Sequence, residues 1–567
     1  MRDEASGPEN DTLRPPEEVM RLARLGSMHP TRLSFIRSLL RGLHAEGWRF
    51  DRPLWDIDAT GVGRAVYRAI GPEHTYSLVA FAHDLPDAQR SDRVIATAWD
   101  ATFALVDGEP DAADLDRLAR NVPLQEAGRI SDRELSLSRA NRSVRLWSHV
   151  VESLAAGVQP DVEQIDGVGY LMRTTAVYGA GKFGAADHAL LAGRGLMSRP
   201  FHAEMLAVWL IRSFTIDLVE HLGRARSGDR AATLEPKLRR RLGVGNSTGL
   251  GMAPFLVNHP ALINAWFLAR ETAVARVRSI EEASPAEQAI FRDRLARARI
   301  NAARWRSDSS IQIAKLSALR ADLEALSAHV EAHGLDGPRV WDRLMLWATD
   351  NLSTEGQEQC AALILEPYGD LVDGLADAMG ADEQAVFRID GAMTVAALRS
   401  VLTRRFGWAL GIDFSERDPR ARFWYVSEEK LEPRLGQRFE EPGAEREQPL
   451  AIARDARLLN DTLAEWDDLA SVAEFLRKHP QHRHVVRRAQ IAADRPYAEI
   501  QDNLIDASVL PVDLLRAKLS MFGATRFDPR SDRWVRICMY QGAPFPAELA
   551  AEDPDEWAYP PIEAADV

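Results

Sequence analysis

Hydrophobic and polar positions change their period twice along the chain. Residues 65–70, 75–83 and 93–106 are short runs rich in Val, Tyr, Phe, Thr and Ile, separated by Gly71-Pro72 and the polar stretch 84–91. Runs of β-branched and aromatic residues punctuated by turn signals predict an antiparallel meander. Residues 33–43 precede it with helical spacing. Together they outline a small α+β module over residues 21–125.

From Ser131 the spacing lengthens. Residues 131–156 carry Leu135, Val144, Trp147 and Val151 at intervals that read as a helix. Residues 201–222 place Met205, Leu206, Trp209, Leu210, Phe214 and Leu218 on one broad apolar face. Pro200 and Pro260 stand where helix starts tolerate proline, the second opening a helix over 265–280. Ser284-Pro285-Ala286-Glu287 carries a capping hydroxyl, a proline at the first position and an acid at the third, which predicts a helix start. Helical spacing continues to about Met379, with the charged stretch 292–333 expected to form antiparallel hairpins. Residues 126–380 therefore read as a helical domain.

A third regime follows. Residues 387–390, 408–414, 422–426 and 534–540 look like strands, residues 394–404 like a helix, and 458–515 like two or three more. Residues 432–448 form a Pro/Gly/Glu-rich connection. Residues 381–550 make a mixed module, and the acidic, polar ends at 1–20 and 551–567 are expected to be flexible tails. The expected fold class is α+β, predominantly helical: a central helical domain flanked by a small N-terminal antiparallel β module and a mixed C-terminal module. There is no internal repeat.

Composition narrows the function classes. With 567 residues, 46% hydrophobic and 27% charged, the chain has the makings of several packed cores. A formal net charge of -14 argues against a dedicated nucleic-acid binder, which needs a basic face for phosphates. Cys360 and Cys538 cannot form a metal cluster unaided, and so few cysteines fit a reducing compartment. The N-terminus lacks an apolar signal core, and no apolar run reaches the length of a membrane span. The expectation is a soluble cytoplasmic protein with no membrane partner, no metal and possible homo-oligomers.

Candidate chemistry concentrates in two glycine segments. The first runs from Arg173-Thr174 to Gly179-Ala180-Gly181-Lys182-Phe183-Gly184, and the second is Gly243-Val244-Gly245-Asn246-Ser247-Thr248-Gly249-Leu250-Gly251. Clustered glycine beside Lys, Ser, Thr and Asn suggests backbone shaped to meet a ligand or a packed neighbour. The first matches G-x-G-x-x-G. A dinucleotide site also needs a preceding strand, a following helix and an acid closing the next strand. Residues 170–178 and 185–192 meet the first two conditions, but Glu204 falls at the start of a helix. A P-loop is excluded because Phe183, not Ser or Thr, follows Lys182.

The remaining reading is a small-anion site. Arg173, Thr174 and Lys182 would hold a carboxylate or phosphate, and Asn246, Ser247 and Thr248 would add hydrogen bonds. His202, Glu204 or His259 would move protons. The dense His479, His482 and His484 cluster reads as a solvated basic turn, not a zinc site. Aromatic-charged segments at 423–430 and 525–534 read as strands and turns or as an interface. Three functions follow. The first is a cytoplasmic enzyme acting on a small anionic metabolite. The alternatives are a non-catalytic helical scaffold or regulatory protein, and a nicotinamide- or flavin-dependent oxidoreductase. No cofactor is fixed by the sequence.

Overall fold

The computed structural model describes residues 13–24, 31–85, 98–124, 131–174, 188–246, 259–380, 388–412, 452–501, 518–528 and 536–559. The chain divides into two compact units. One comprises Met28–Thr248, Ala296–Gln312 and Lys518–Val567; the other comprises Met1–Ser27, Gly249–Leu295 and Ile313–Ala517. The architecture is α+β and rich in helix.

The first unit is built on one mixed sheet. Its strands are β1 (Arg49–Ile57), β2 (Gly63–Ile70), β3 (Thr75–Ala82), β4 (Ala101–Asp107), β5 (Glu134–Arg142), β6 (Tyr170–Thr174), β7 (Gly243–Asn246), β8 (Ala524–Asp528) and β9 (Arg536–Met539), in the order β1-β2-β3-β4-β5-β6-β7-β9-β8. Neighbours from β1 to β6 are antiparallel, as are β7 with β9 and β9 with β8; β6 and β7 are parallel. The expected meander is β2, β3 and β4. The sheet then outgrows an N-terminal module, because strands from residues 170–174, 243–246 and 524–539 extend it.

Strand alternation gives the sheet two different faces. On one, Val66, Val79, Phe81, Ala104, Val106 and Leu137 pack with Leu118 and Val122 at the helix α2 (Ala112–Asn121); α1 is Phe35–Ala45. On the other lies α3 (His202–Ser227), whose Phe214 meets the rings of Trp55, Tyr67 and Phe103. α3 is 26 residues long and buried nearly all round at its N-terminal half, which explains its continuous apolar run better than a single stripe would.

A fully buried arginine fixes the frame beneath β7. Arg212 of α3 donates to the carbonyls of Leu242 at 2.7 Å and Ala543 at 2.7 Å, and its guanidinium lies 3.9 Å from the Phe545 ring centroid. Burial and the nearby Arg240 lower its pKa to about 9. Leu242 sits between α4 (Pro236–Arg241) and β7, so this cation ties the start of β7 to the central helix.

Several sequence expectations change here. Residues 131–156 are not one helix: Glu134–Arg142 is strand β5, and the helix is confined to Trp147–Ala155. Leu135 and Leu137 alternate with polar residues at period two, and their pairing with β4 decides the matter. Gly243 begins strand β7. The C-terminal end at 551–559 is not a loose tail. Asp555 is buried against Arg37 (2.8 Å), Arg41 (3.0 Å) and Arg32 (3.5 Å), and Trp557 and Tyr559 are buried with it. Those three guanidiniums hold the Asp555 carboxyl far below its ordinary range despite burial.

The second unit is helical among its described residues. α5 (Pro260–Arg278) opens on Pro260 as read from sequence, and the helix Pro285–Arg304, which belongs to this unit as far as Leu295, is preceded by a reciprocal cap, with Glu287 N donating to Ser284 Oγ at 3.3 Å and Ser284 N donating to Glu287 Oε2 at 2.5 Å. α6 (Thr354–Leu363) follows the helices Ser310–His333 and Val340–Asn351. A separate core joins α7 (Val395–Leu410), α8 (Ile452–Leu463) and α9 (Arg483–Asp494) through Leu398, Leu402, Phe406, Leu459, Phe475 and Val486. Trp408 to Leu410 end α7 instead of starting a strand, and Arg388 to Asp390 are not strand; residues 387, 413–414 and 422–426 lie outside the described residues.

Residues 13–20 are not a tail either. Val19 and Met20 are fully buried, and Arg14 reaches two acids far along the chain. Its guanidinium grips Glu271 of α5 through two bonds of 2.8 and 2.9 Å and Glu358 of α6 at 2.8 Å. Tyr497 Oη donates to the Arg14 carbonyl at 2.7 Å.

Candidate functional site

The strands that lead into the two glycine segments end side by side. β6 and β7 are parallel neighbours, Tyr170 facing Gly243 and Arg173 facing Gly245, so both chains exit at the same end. The first segment continues from Thr174 and the second from Asn246. Asn246 Nδ2 donates to the Thr174 carbonyl at 3.0 Å, joining the last residues of the two strands. Carboxyl ends of adjacent parallel strands are where open α/β sheets bind ligands, because the chains diverge there.

Thr174 is buried on the α3 face and Arg173 is half-buried on the opposite face. Asn246 is 1% exposed. Lys182, Ser247 and Thr248 lie outside the described residues. His259 precedes α5 in the other unit and is half-buried. His202 and Glu204 open α3, and both are 1% exposed. His202 shares a 2.8 Å hydrogen bond between Nδ1 and the Leu196 carbonyl. Burial, with Arg199 and Arg41 nearby, drives its pKa down to about 3, so the imidazole is neutral at pH 7. Phe201, just before it, holds a left-handed φ of 59°, which a bulky side chain adopts only under constraint from its surroundings.

Two of the glycines in the second segment answer to packing. A Cβ on Gly245 would stand 2.5 Å from the Tyr170 ring, and one on Gly243 would stand 2.3 Å from the Met539 carbonyl oxygen. β7 is threaded between β6 and β9 so closely that only glycine fits at those two positions. Gly249 and Gly251 lie outside the described residues.

Sequence reading missed the polar patch beside Arg173. β5 register places Asn141 opposite Arg173, and Arg139 opposite Thr102 of β4. Thr102 is in turn opposite Phe81, so all of these share the α2 face. Trp99 and Asp100 stand just before β4. The Arg139 guanidinium lies 3.7 Å over the Trp99 ring, and Asn141 Oδ1 accepts from Asp100 N at 3.0 Å. His83 Nε2 is 3.1 Å from Thr102 Oγ1, and His83 N donates to the Asp100 carbonyl at 2.9 Å. Burial lowers the His83 pKa, opposed by the Asp100 charge. Asp100 itself accepts from Arg142 N at 2.9 Å and faces Arg142 Nε at 3.7 Å.

One sheet face thus changes character along its strands. Beneath α2 it is apolar; toward the start of β4 it carries His83, Thr102, Arg139, Asn141 and Arg173. The signal for this lay in Glu134–Arg142, where Arg139 and Asn141 alternate with Ser138 and Ala140, but a helical reading hides it. Among the described residues no group of three or more His, Cys, Asp or Glu side chains could hold a metal ion. No described helix is long and apolar enough to cross a membrane. Comparison with family models, with curated proteins and with solved structures finds no match for this chain.

Proposed function

We propose that the chain is a cytoplasmic enzyme acting on a small anionic metabolite, bound where β6 and β7 end. The observation that carries this reading is the Asn246–Thr174 hydrogen bond, which starts both glycine segments one strand spacing apart, about 4.8 Å. Arg173 supplies a cation at that edge. Lys182, Ser247 and Thr248 follow within each segment as further donors for a carboxylate or phosphate. Glu204 and His202 are the candidate proton carriers within this unit, and His202 is the weaker of the two, because a neutral imidazole already engaged with Leu196 takes up a proton only in strong acid. The test is calorimetric titration of the full chain with monocarboxylates, dicarboxylates and phosphate monoesters. Lys182→Ala and Arg173→Gln should weaken binding of the preferred class while the melting temperature stays nearly constant. Unchanged affinity in both variants sinks the reading.

A second reading has one specific support. The G-x-G-x-x-G segment begins at Gly179, five residues past the end of strand β6, and β7 lies parallel to β6, as in a nicotinamide- or flavin-binding crossover. Against it, β7 ends on Asn246, not an acid, some sixty residues later. Titration with nicotinamide and flavin dinucleotides decides, since the enzyme of an anionic metabolite alone has no reason to prefer them over inorganic phosphate.

A further inference from the structure

We infer that the turn joining the helix Val472–Lys478 to α9 is an acid-sensitive joint, closed while His479 and His482 are neutral and opened when they take up protons. It lies in the second unit and stands apart from the small-anion reading. The sequence suggests a solvated basic turn at His479, His482 and His484. In the structure His482 is buried and His479 half-buried. Both rings lie nearly parallel to the Phe475 ring, with centroids 5.1 Å and 5.8 Å from it. Phe475, Val485 and Val486 belong to the core that α7, α8 and α9 share, so the turn holds the start of α9 against that core.

One hydrogen bond fixes the protonation state of this closed form. Trp466 Nε1 donates to His479 Nε2 at 3.3 Å. An indole N–H only donates, so Nε2 is the bare nitrogen of a neutral imidazole and the ring proton sits on Nδ1. A second proton has to enter at Nε2, where it meets the indole N–H and removes the bond. His482 Nε2 lies 3.2 Å from Thr462 Oγ1, which ties the turn to the end of α8. Burial and the charge of His479, whose ring centroid is 6.3 Å away, lower the His482 pKa.

The charges around the turn favour the neutral form. Arg477 and Lys478 end the helix before it, and Lys478 Nζ lies 5.0 Å from the Trp466 ring centroid. Arg483 and His484 open α9 after it. The acids of the neighbouring segments are engaged elsewhere. Glu474 accepts from Ser471 N and Oγ at 3.0 Å each, and Asp461 accepts from Arg457 at 3.1 Å. Asp467 accepts from Leu469 N at 2.9 Å, Asp468 meets Arg399 at 3.2 Å, and Glu465 is exposed. A charged imidazole gains from the face of Phe475, a contribution of opposite sign. The lost indole bond and the repulsion among His479, His482 and Lys478 outweigh it. Closure is therefore complete above the ordinary histidine pKa of roughly 6.5 and is lost as pH falls below it.

The experiment is hydrogen exchange of the full chain followed by mass spectrometry, from about pH 7.5 to pH 5, with labelling times scaled for the intrinsic pH dependence. Peptides covering residues 466–486 should lose protection about tenfold or more across the histidine range, while β3 and β4 keep theirs. The double variant His479→Gln with His482→Gln, which keeps an acceptor for Trp466 and takes up no proton, should hold its protection at every pH. If that variant is already unprotected at the upper pH, Trp466→Phe carries the test. It lacks the N–H that excludes the second proton, so its acid-induced loss should be several-fold smaller than that of wild type. Wild-type protection that ignores pH overturns the inference. So does a loss shared equally by β3 and β4, a pH dependence that persists in the double variant, or an unchanged one in Trp466→Phe.

Discussion

Asn246 and Thr174, 72 residues apart in sequence, are locked side chain to main chain at 3.0 Å at the ends of two parallel strands. That bond changes what substitution of Asn246 means. The sequence alone suggests a ligand contact whose removal spares the fold. The structure shows a buried amide that satisfies a strand-end carbonyl, and losing such a donor costs about 1–3 kcal/mol. Asn246→Ala is therefore expected to lower the free energy of unfolding by that amount in urea titrations, whereas Lys182→Ala leaves it unchanged. Equal stability of Asn246→Ala and wild type would mean that the bond has no weight.

His202 makes stability depend on pH in a defined window. Its folded pKa of about 3 lies below the unfolded value of roughly 6.5, so the unfolded chain binds the proton first as pH falls. The contribution is complete above the unfolded pKa and is lost as pH drops from there toward 3. Within that window the loss is about 1.4 kcal/mol per pH unit for this one group. Urea unfolding at pH 5, 6 and 7 should show His202→Asn with a shallower decline than wild type. Parallel profiles would show that His202 titrates normally.

How much of this was legible in sequence depends on how local each cause is. The meander β2 to β4 was legible because alternation, turns and pairing all lie within about forty residues. The cap at Ser284 and Glu287 was legible for the same reason. β5 was not: Glu134–Arg142 becomes a strand through pairing with β4 and β6, while its Leu spacing alone admits a helix. Strand β9 was read from Trp534 to Tyr540, but its place beside β7 depends on partners some 290 residues away. The packed ends were hidden by polarity. Arg14 and Asp555 are charged residues whose burial is intelligible only once Glu271, Glu358 and the three arginines are in place. Of the candidate site, the structure brings together the strand ends at Thr174 and Asn246, while the loops that follow them lie outside the described residues; Arg139 and Asn141 required the register.

The Arg14 clasp predicts an asymmetry between breaking and replacing it. Arg14→Met removes the best-placed cation from the buried Glu271 and Glu358 carboxylates, leaving Arg270, which reaches Glu271 at 2.9 Å and Glu358 at 3.5 Å, and Arg24, which reaches Glu358 at 3.0 Å. Removing one partner of a buried charge network typically costs about 3–5 kcal/mol. Replacing all three with apolar residues, Arg14→Met with Glu271→Leu and Glu358→Leu, should recover most of that loss. Burial raises the Glu358 pKa, but the charges of Arg14 and Arg270 outweigh it and bring the pKa to about 2. The stabilisation is present above the ordinary glutamate pKa and is lost as pH falls from there through about 2. Acid titration followed by circular dichroism should place the unfolding of Arg14→Met at higher pH than wild type. Coincident acid transitions would remove the clasp from the stability of this unit.

Gly243 and Gly245 separate two kinds of close approach. At Gly245 the obstacle to a Cβ is the Tyr170 ring, 2.5 Å away, and a side chain can be changed. At Gly243 it is the Met539 carbonyl oxygen at 2.3 Å, part of the β9 backbone that pairs with β7. Overpacking a tight core site costs about 1–3 kcal/mol, so each single Gly→Ala should destabilise by at least that much. Adding Tyr170→Leu should rescue Gly245→Ala, because the smaller side chain vacates the ring's plane. The same addition should leave Gly243→Ala unrescued, since Tyr170 is not what its Cβ meets. Urea unfolding of the three single and two double variants checks this as two mutant cycles. Coupling at Gly245 with none at Gly243 ties these glycines to strand packing, which leaves Gly249 and Gly251 as the glycines of the second segment whose substitution should report on ligand binding.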